Sequence, residues 1–166
     1  LKDLPTELPE GLVLGATPLR EDVRDVLIYR SAGRKDFRGF PAHTPLASLP
    51  PGATVATSST RRKAQLLVAR RDLNIVEIRG NVTTRMRKVA EQGELDATIL
   101  ALAGITRLKF TIAADGSLHG EGVPDGMLAA VIDVETMLPC VGQAAMALRC
   151  EPMMSELRKF AHGLIT

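Results

Sequence analysis

The sequence predicts an α/β fold: a central, mostly parallel sheet flanked by helices. Three observations carry the prediction. Between residues 53 and 104, short apolar runs alternate with segments of helical period. The connections between them are only a few residues long, as in βαβ units. The composition is 45% hydrophobic with four Phe, one Tyr and no Trp, so the core must be aliphatic.

Taken in order, "GLVLGATP" (11–18) and "DVLIYRS" (25–31) read as strands separated by a polar turn holding Pro18 and Asp22. "HTPLASLPPG" (43–52) reads as a short helix, with Thr44 as N-cap and Pro45 at the first helical position. "ATVATS" (53–58) is a strand, and "TRRKAQLLVARR" (60–71) a helix with Ala64, Leu67 and Val68 on one face. "LNIVEIRG" (73–80) is the next strand, followed by a helix from Thr83 to Gln92 that Gly93 ends as its C′ residue. "LDATILALAG" (95–104) is a buried strand running into a turn. In "FTIAADGSLHGEGVPDG" (110–126) the pair Asp115-Gly116 marks a hairpin that breaks the rhythm. "MLAAVIDVETMLP" (127–139) has apolar helical character, and "AAMALRC" (144–150) reads as a strand. A last helix spans 152–165, opened by Pro152, with Met153, Leu157, Phe160 and Leu164 at core spacing.

Composition narrows the function. A net charge of +2 and the scarcity of aromatic rings argue against a nucleic-acid partner. No stretch approaches the roughly 20 apolar residues of a membrane span. Cys140 and Cys150 have neither metal-type nor CxxC spacing and read as free buried thiols of a reducing compartment, hence cytoplasmic. His43, His119 and His162 lie far apart, so no metal site is expected. The chain starts at Leu1 without Met and reads as one entered partway through.

The positions of the arginines are more informative than their number. Ligands of open parallel sheets bind beyond the carboxyl ends of the strands. One such end carries Ser58, Ser59, Arg61 and Arg62; the next carries Arg79 and Gly80, with Arg85 following. Cations are mildly unfavourable in a first helical turn, where the macrodipole already places positive charge. Arginine there suits an anion, because its planar fork binds carboxylate or phosphate through two bonds. On this reading the loss of Arg61 or Arg62 should cost the fold little. No GxxxxGK[ST] or GxGxxG is present to indicate a nucleotide. An N-cap followed by a solvated helical turn is the common account of such a junction, but it fits poorly with two arginines in the first turn.

In their order, "KDLPTELPEGLVLG", "REDVRD" (20–25), "TSSTRRKAQL", "IRGNVTTRMRK", "GELDATILALAGITRL" and "LPCVGQAAMALRC" resemble the porphobilinogen deaminase (hydroxymethylbilane synthase) family along nearly the whole chain. The resemblance implies a transferase of tetrapyrrole and haem biosynthesis. It condenses four porphobilinogen molecules with ammonia release, growing the pyrrole chain on a dipyrromethane cofactor bound to a cysteine. It also implies a lobe like those of periplasmic binding proteins. The acetate and propionate of each pyrrole would account for the arginine-lined strand ends. By motif, Asp3 matches the catalytic aspartate, whose carboxylate can assist ammonia loss and stabilise the pyrrole cation. Lys2, Thr57, Ser58, Ser59, Arg61, Arg62, Arg79, Gly80, Arg85 and Gln143 match positions that bind cofactor or substrate side chains.

The resemblance also implies boundaries and departures. Residues 1–15 correspond to a remnant of the first domain with its hinge, 16–140 to the second domain, and 141–166 to a return segment into the first. The rest of the first domain and a third domain, whose Gly-Gly-Cys loop holds the cofactor, are expected outside this stretch. The chain alone is therefore expected to be inactive, and the full-length enzyme monomeric. Thr60 stands where the family has an apolar residue, Ala144 where it has glycine, and 110–126 is an insertion. The alternative is a non-catalytic organic-anion-binding module derived from the same fold.

Overall fold

The computed structural model describes residues 4–33 and 36–151. The helix expected over 152–165 lies outside the described residues, as do Lys2 and Asp3. Arg24–Pro139 forms one compact unit, and the described residues 4–23 and 140–151 belong to a second.

In the second of these, β1 (Val13–Ala16) pairs antiparallel with the late strand Leu148–Cys150. Cys140 and Cys150 are free thiols, half-buried where burial was expected. Gln143 is buried; its side-chain amide donates to the Val23 carbonyl at 2.7 Å, and its own carbonyl accepts from Arg20 Nε at 2.9 Å.

The larger unit is built on a five-stranded sheet. Its strands in chain order are β2 (Asp25–Arg30), β3 (Thr54–Ala56), β4 (Asn74–Val76), β5 (Ala97–Ala101) and Met127–Ile132, and the spatial order is β4-β3-β5-β2 with Met127–Ile132 at the edge. The β4-β3-β5 half is parallel, whereas β2 runs antiparallel to both its neighbours. The sheet is thus mixed. Helices α1 (Thr60–Ala69) and α2 (Val82–Glu91) make the two crossovers of the parallel half, and α3 (Leu102–Arg107) follows β5 directly where a turn was expected.

Strand periodicity explains the two core layers. Val26 and Ile28 of β2 pack with Met86, Val89 and Ile105 of α2 and α3 on one face; Leu27 and Tyr29 pack with Leu66 of α1 on the other. Every residue of β2 is buried: an apolar run, Val26 to Tyr29, with a charged residue at each end. Arg30 at its carboxyl end is fully buried. It donates to the carbonyls of Val89 and Gln92 at the end of α2 and of Leu95 just beyond it, which ties that helix end to the sheet.

Three local expectations are corrected, and a fourth, Gly93 at C′, holds in position. Thr44 does not cap the 43–52 segment: the helix is a single 3-10 turn, Leu46–Ser48, with Pro45 at the cap, and Thr44 Oγ1 bonds the Pro41 carbonyl instead. In α1, Ala64 and Val68 face solvent (Val68 is 84% exposed) and the buried residues are Arg62 and Leu66. The i, i+4 stripe that meets the sheet includes a charge, which a hydrophobicity pattern cannot select. Met127–Ile132 is a strand, not a helix, because a six-residue apolar run has no period to separate the two. Gly93 does follow the α2 C-cap, but without left-handed backbone; a Cβ there would lie 2.6 Å from the Phe37 ring.

The segment 110–126 forms the expected hairpin, β6 (Thr111–Ile112) with β7 (Leu118–His119), after which Met127–Ile132 is β8 and Leu148–Cys150 is β9. Asp115 Oδ1 accepts from the Ser117 N–H at 2.9 Å across its turn. No helix among the described residues is long and apolar enough to cross a membrane.

Candidate functional site

At the carboxyl ends of β3 and β5 the chain departs to opposite faces of the sheet, into α1 on one side and α3 on the other. Such a divergence opens a crevice at the strand ends. Because β2 is antiparallel, its first residue, Asp25, lies at this same end, paired in register with Ala101.

The hydroxyl cluster after β3 builds the loop. The Thr57 N–H donates to the Val76 carbonyl at 2.8 Å. Ser58 Oγ donates to the Ile78 carbonyl at 2.5 Å and accepts the Ile78 N–H at 3.2 Å, tying the ends of β3 and β4 together. Ser59 is the N-cap of α1, its Oγ accepting from the Arg62 N–H at 3.4 Å. The N-cap account of these hydroxyls therefore holds for Ser59. A cavity of about 320 Å³ opens beside them, lined also by Lys63 and Glu77 and by neither Arg61 nor Arg85.

The two adjacent arginines have different surroundings. Arg62 is buried and forks onto the Asp25 carboxylate, Nε to Oδ2 at 3.1 Å and Nη2 to Oδ1 at 2.7 Å, with Nη1 on the Ile99 carbonyl. Arg61 is more open: Nη2 reaches Asp25 Oδ2 at 2.8 Å, and Nη1 donates to the Leu138 carbonyl. Gln65 grips the Leu138 backbone on both sides, donating to its carbonyl and accepting its N–H. Asp25 itself, with its side chain fully buried, is the site residue that sequence reasoning missed. Its only signal was its place in "REDVRD".

Arg85, in the first turn of α2, is half-buried and bonds through Nε to the Gly80 carbonyl at 2.8 Å, with no acidic partner among the described residues. Burial lowers its pKa below the ordinary guanidinium value, and the neighbouring charge of Arg62 pushes the same way. A cation in that setting gains from an anion more than from water. Gly80 adopts φ +120°, and a Cβ there would fall 2.7 Å from the Thr84 methyl. Arg79 is not drawn into the cluster: its side chain is 87% exposed and lies 3.8 Å from Glu77. Gln143 belongs to the other compact unit.

Residues 1–159 match the family model described as "Porphobilinogen deaminase, dipyromethane cofactor binding domain". The chain belongs to the porphobilinogen deaminase family. A porphobilinogen deaminase of Brevibacillus brevis is 42% identical over 164 residues, covering 96% of this chain and 45% of its own length. One from Bacillus pumilus is 43% identical over 157 residues, covering 95% and 42%. The chain thus spans less than half the length of these relatives. Among solved structures, an arginine-transport periplasmic binding protein of Legionella pneumophila aligns over 93% of this chain and 59% of its own. At 12% identity and a TM-score of 0.44 that likeness is too slight to bear on fold or ligand.

Proposed function

We propose that this chain forms part of a hydroxymethylbilane synthase, and that its strand-end cluster binds the carboxylates of dipyrromethane and of the growing pyrrole chain. The observation that carries the proposal is Arg85, half-buried beside the charge of Arg62 and, among the described residues, without an acidic partner. The donor set fits the group: planar guanidinium forks and loop hydroxyls suit several carboxylates on flexible arms. Arg61 and Arg85 would hold them, with Ser58, Ser59, Thr57, Arg79 and Gly80 shaping the loops around them. Arg62 would support Arg61 from below. When bound, dipyrromethane would supply the free pyrrole position from which the chain of porphobilinogen units grows.

Asp3 is the proposed catalytic carboxylate and Lys2 and Gln143 further binding residues, on the motif match alone. A carboxylate near a pyrrole N–H can assist ammonia loss and then accept the proton released on carbon–carbon bond formation. The proposed setting is the cytosol, with porphobilinogen as substrate and a monomeric whole enzyme. Relatives named porphobilinogen deaminase along nearly the whole chain favour this over a non-catalytic anion-binding module.

The test is calorimetric titration of porphobilinogen into the parent chain and into Arg85→Ala and Arg85→Lys. Losing a charge-assisted bond should weaken binding by about tenfold or more in Arg85→Ala. Lysine should recover part of that loss, since it keeps the charge without the fork. Equal affinity in all three proteins refutes the assignment.

A further inference from the structure

The proposed site leaves the role of Asp25 open. Its side chain has no exposed surface, so it cannot meet a ligand in the crevice. Yet both its oxygens are engaged by the two arginines that follow Ser59, Oδ1 by Arg62 and Oδ2 by both Arg61 and Arg62. The two guanidinium groups differ in the way this arrangement requires: the Arg62 side chain is 10% exposed and that of Arg61 24%. Arg62 is the inner member, and Arg61 is the one that can face a ligand. A flexible arginine on a helix end samples many rotamers, and binding would have to freeze them. Two anchors, Asp25 and the Leu138 carbonyl, hold the Arg61 fork before any ligand arrives.

We propose that Asp25 is a positioning residue of the anion site, acting on the ligand through Arg61 while it neutralises buried Arg62. The inference rests on the carboxylate-binding reading above. It places a group on the antiparallel strand β2 in service of a site formed at the ends of parallel strands. The chain enters the larger unit at Arg24 and leaves it at Pro139, so both anchors of Arg61 lie within two residues of those crossings.

The test is a double-mutant cycle on the full chain with porphobilinogen as the probe, using Asp25→Asn, Asp25→Glu, Arg61→Ala and the two combinations. Asp25→Asn should weaken binding by about tenfold, the value of one charge-assisted bond, and that effect should shrink to less than about twofold in the Arg61→Ala background. Asp25→Glu keeps a charge against Arg62, so it should fold even if Asp25→Asn does not, and its effect should vanish in the same background. A loss that persists undiminished without Arg61, or Asp25 variants that bind as the parent does, overturns the proposal.

Nitrogen-15 NMR of the arginine side chains separates this outcome from failure of the ligand assignment. The guanidinium signals of Arg61 and Arg62 should be dispersed and slow to exchange in the parent and averaged in the folded Asp25 variants. If porphobilinogen binds no protein of the set, the ligand reading falls while those signals still decide whether Asp25 positions Arg61. Unchanged guanidinium signals overturn the positioning role whatever the ligand.

Discussion

Replacing Asp25 by asparagine removes a negative charge from a place that water cannot reach. The Asp25 side chain is 0% exposed and the Arg62 side chain 10%, and two bonds of 3.1 and 2.7 Å join them. Removing one partner of such a pair leaves the other charge uncompensated, at a cost of about 3–5 kcal/mol. Asparagine keeps the shape and one acceptor oxygen, which places Asp25→Asn near the lower end, about 3 kcal/mol. At about 2–4 °C per kcal/mol for a chain of this size, melting should fall by about 6–12 °C. Urea unfolding followed by circular dichroism measures the difference, with the slope of the transition checked for constancy. Arg61, with a quarter of its side chain exposed, should cost no more than about 1 kcal/mol when cut to alanine. The double replacement Asp25→Leu with Arg62→Met should recover most of the loss, since an apolar pair of similar volume often replaces a buried ion pair without penalty. If Asp25→Asn and Arg62→Ala each change stability by less than about 1 kcal/mol, the ion pair does not hold this corner of the fold. The expectation from sequence, that both arginines are dispensable for folding, would then stand after all.

Three further outcomes can be checked. Ala144 has φ +67°, a left-handed backbone that costs a non-glycine residue roughly 1–2 kcal/mol, partly offset by the flexibility glycine adds to the unfolded chain; Ala144→Gly should therefore raise the melting temperature, and a lower one would show the strain to be absent. Gly80→Ala should destabilise by about 1–3 kcal/mol, because its Cβ meets the stiff Thr84 side chain, and it should also disturb Arg85 through the Gly80 carbonyl, lowering anion affinity. The Ser117 backbone N–H holds the Asp115 carboxyl below its ordinary 3.8. Its stabilising bond is therefore fully present above the unfolded carboxyl's pKa and is lost as pH falls through the lower folded value. The Ser117 amide shift should titrate in that acid window, and should not in Asp115→Asn.

Much of this protein is local and therefore readable from its sequence. Ser59 announces α1 because a hydroxyl before a helical run satisfies an open N–H, and Asp115-Gly116 announces its hairpin because that pair tolerates the turn. The strand–helix alternation from 53 to 104 fixes the βαβ half of the sheet for the same reason: short connections leave few ways to pack. What the sequence could not decide were contacts set by strand order and direction. Met127–Ile132 became a strand because β2 offered it an antiparallel partner, not because of any period of its own. Val68 faces water and Arg62 faces the core because Asp25, 37 positions away from Arg62, lies at the carboxyl ends of the parallel strands once β2 pairs antiparallel with β5. A buried charge is stable only beside its counter-charge, and that neighbour is supplied by tertiary pairing, which no window along the chain contains.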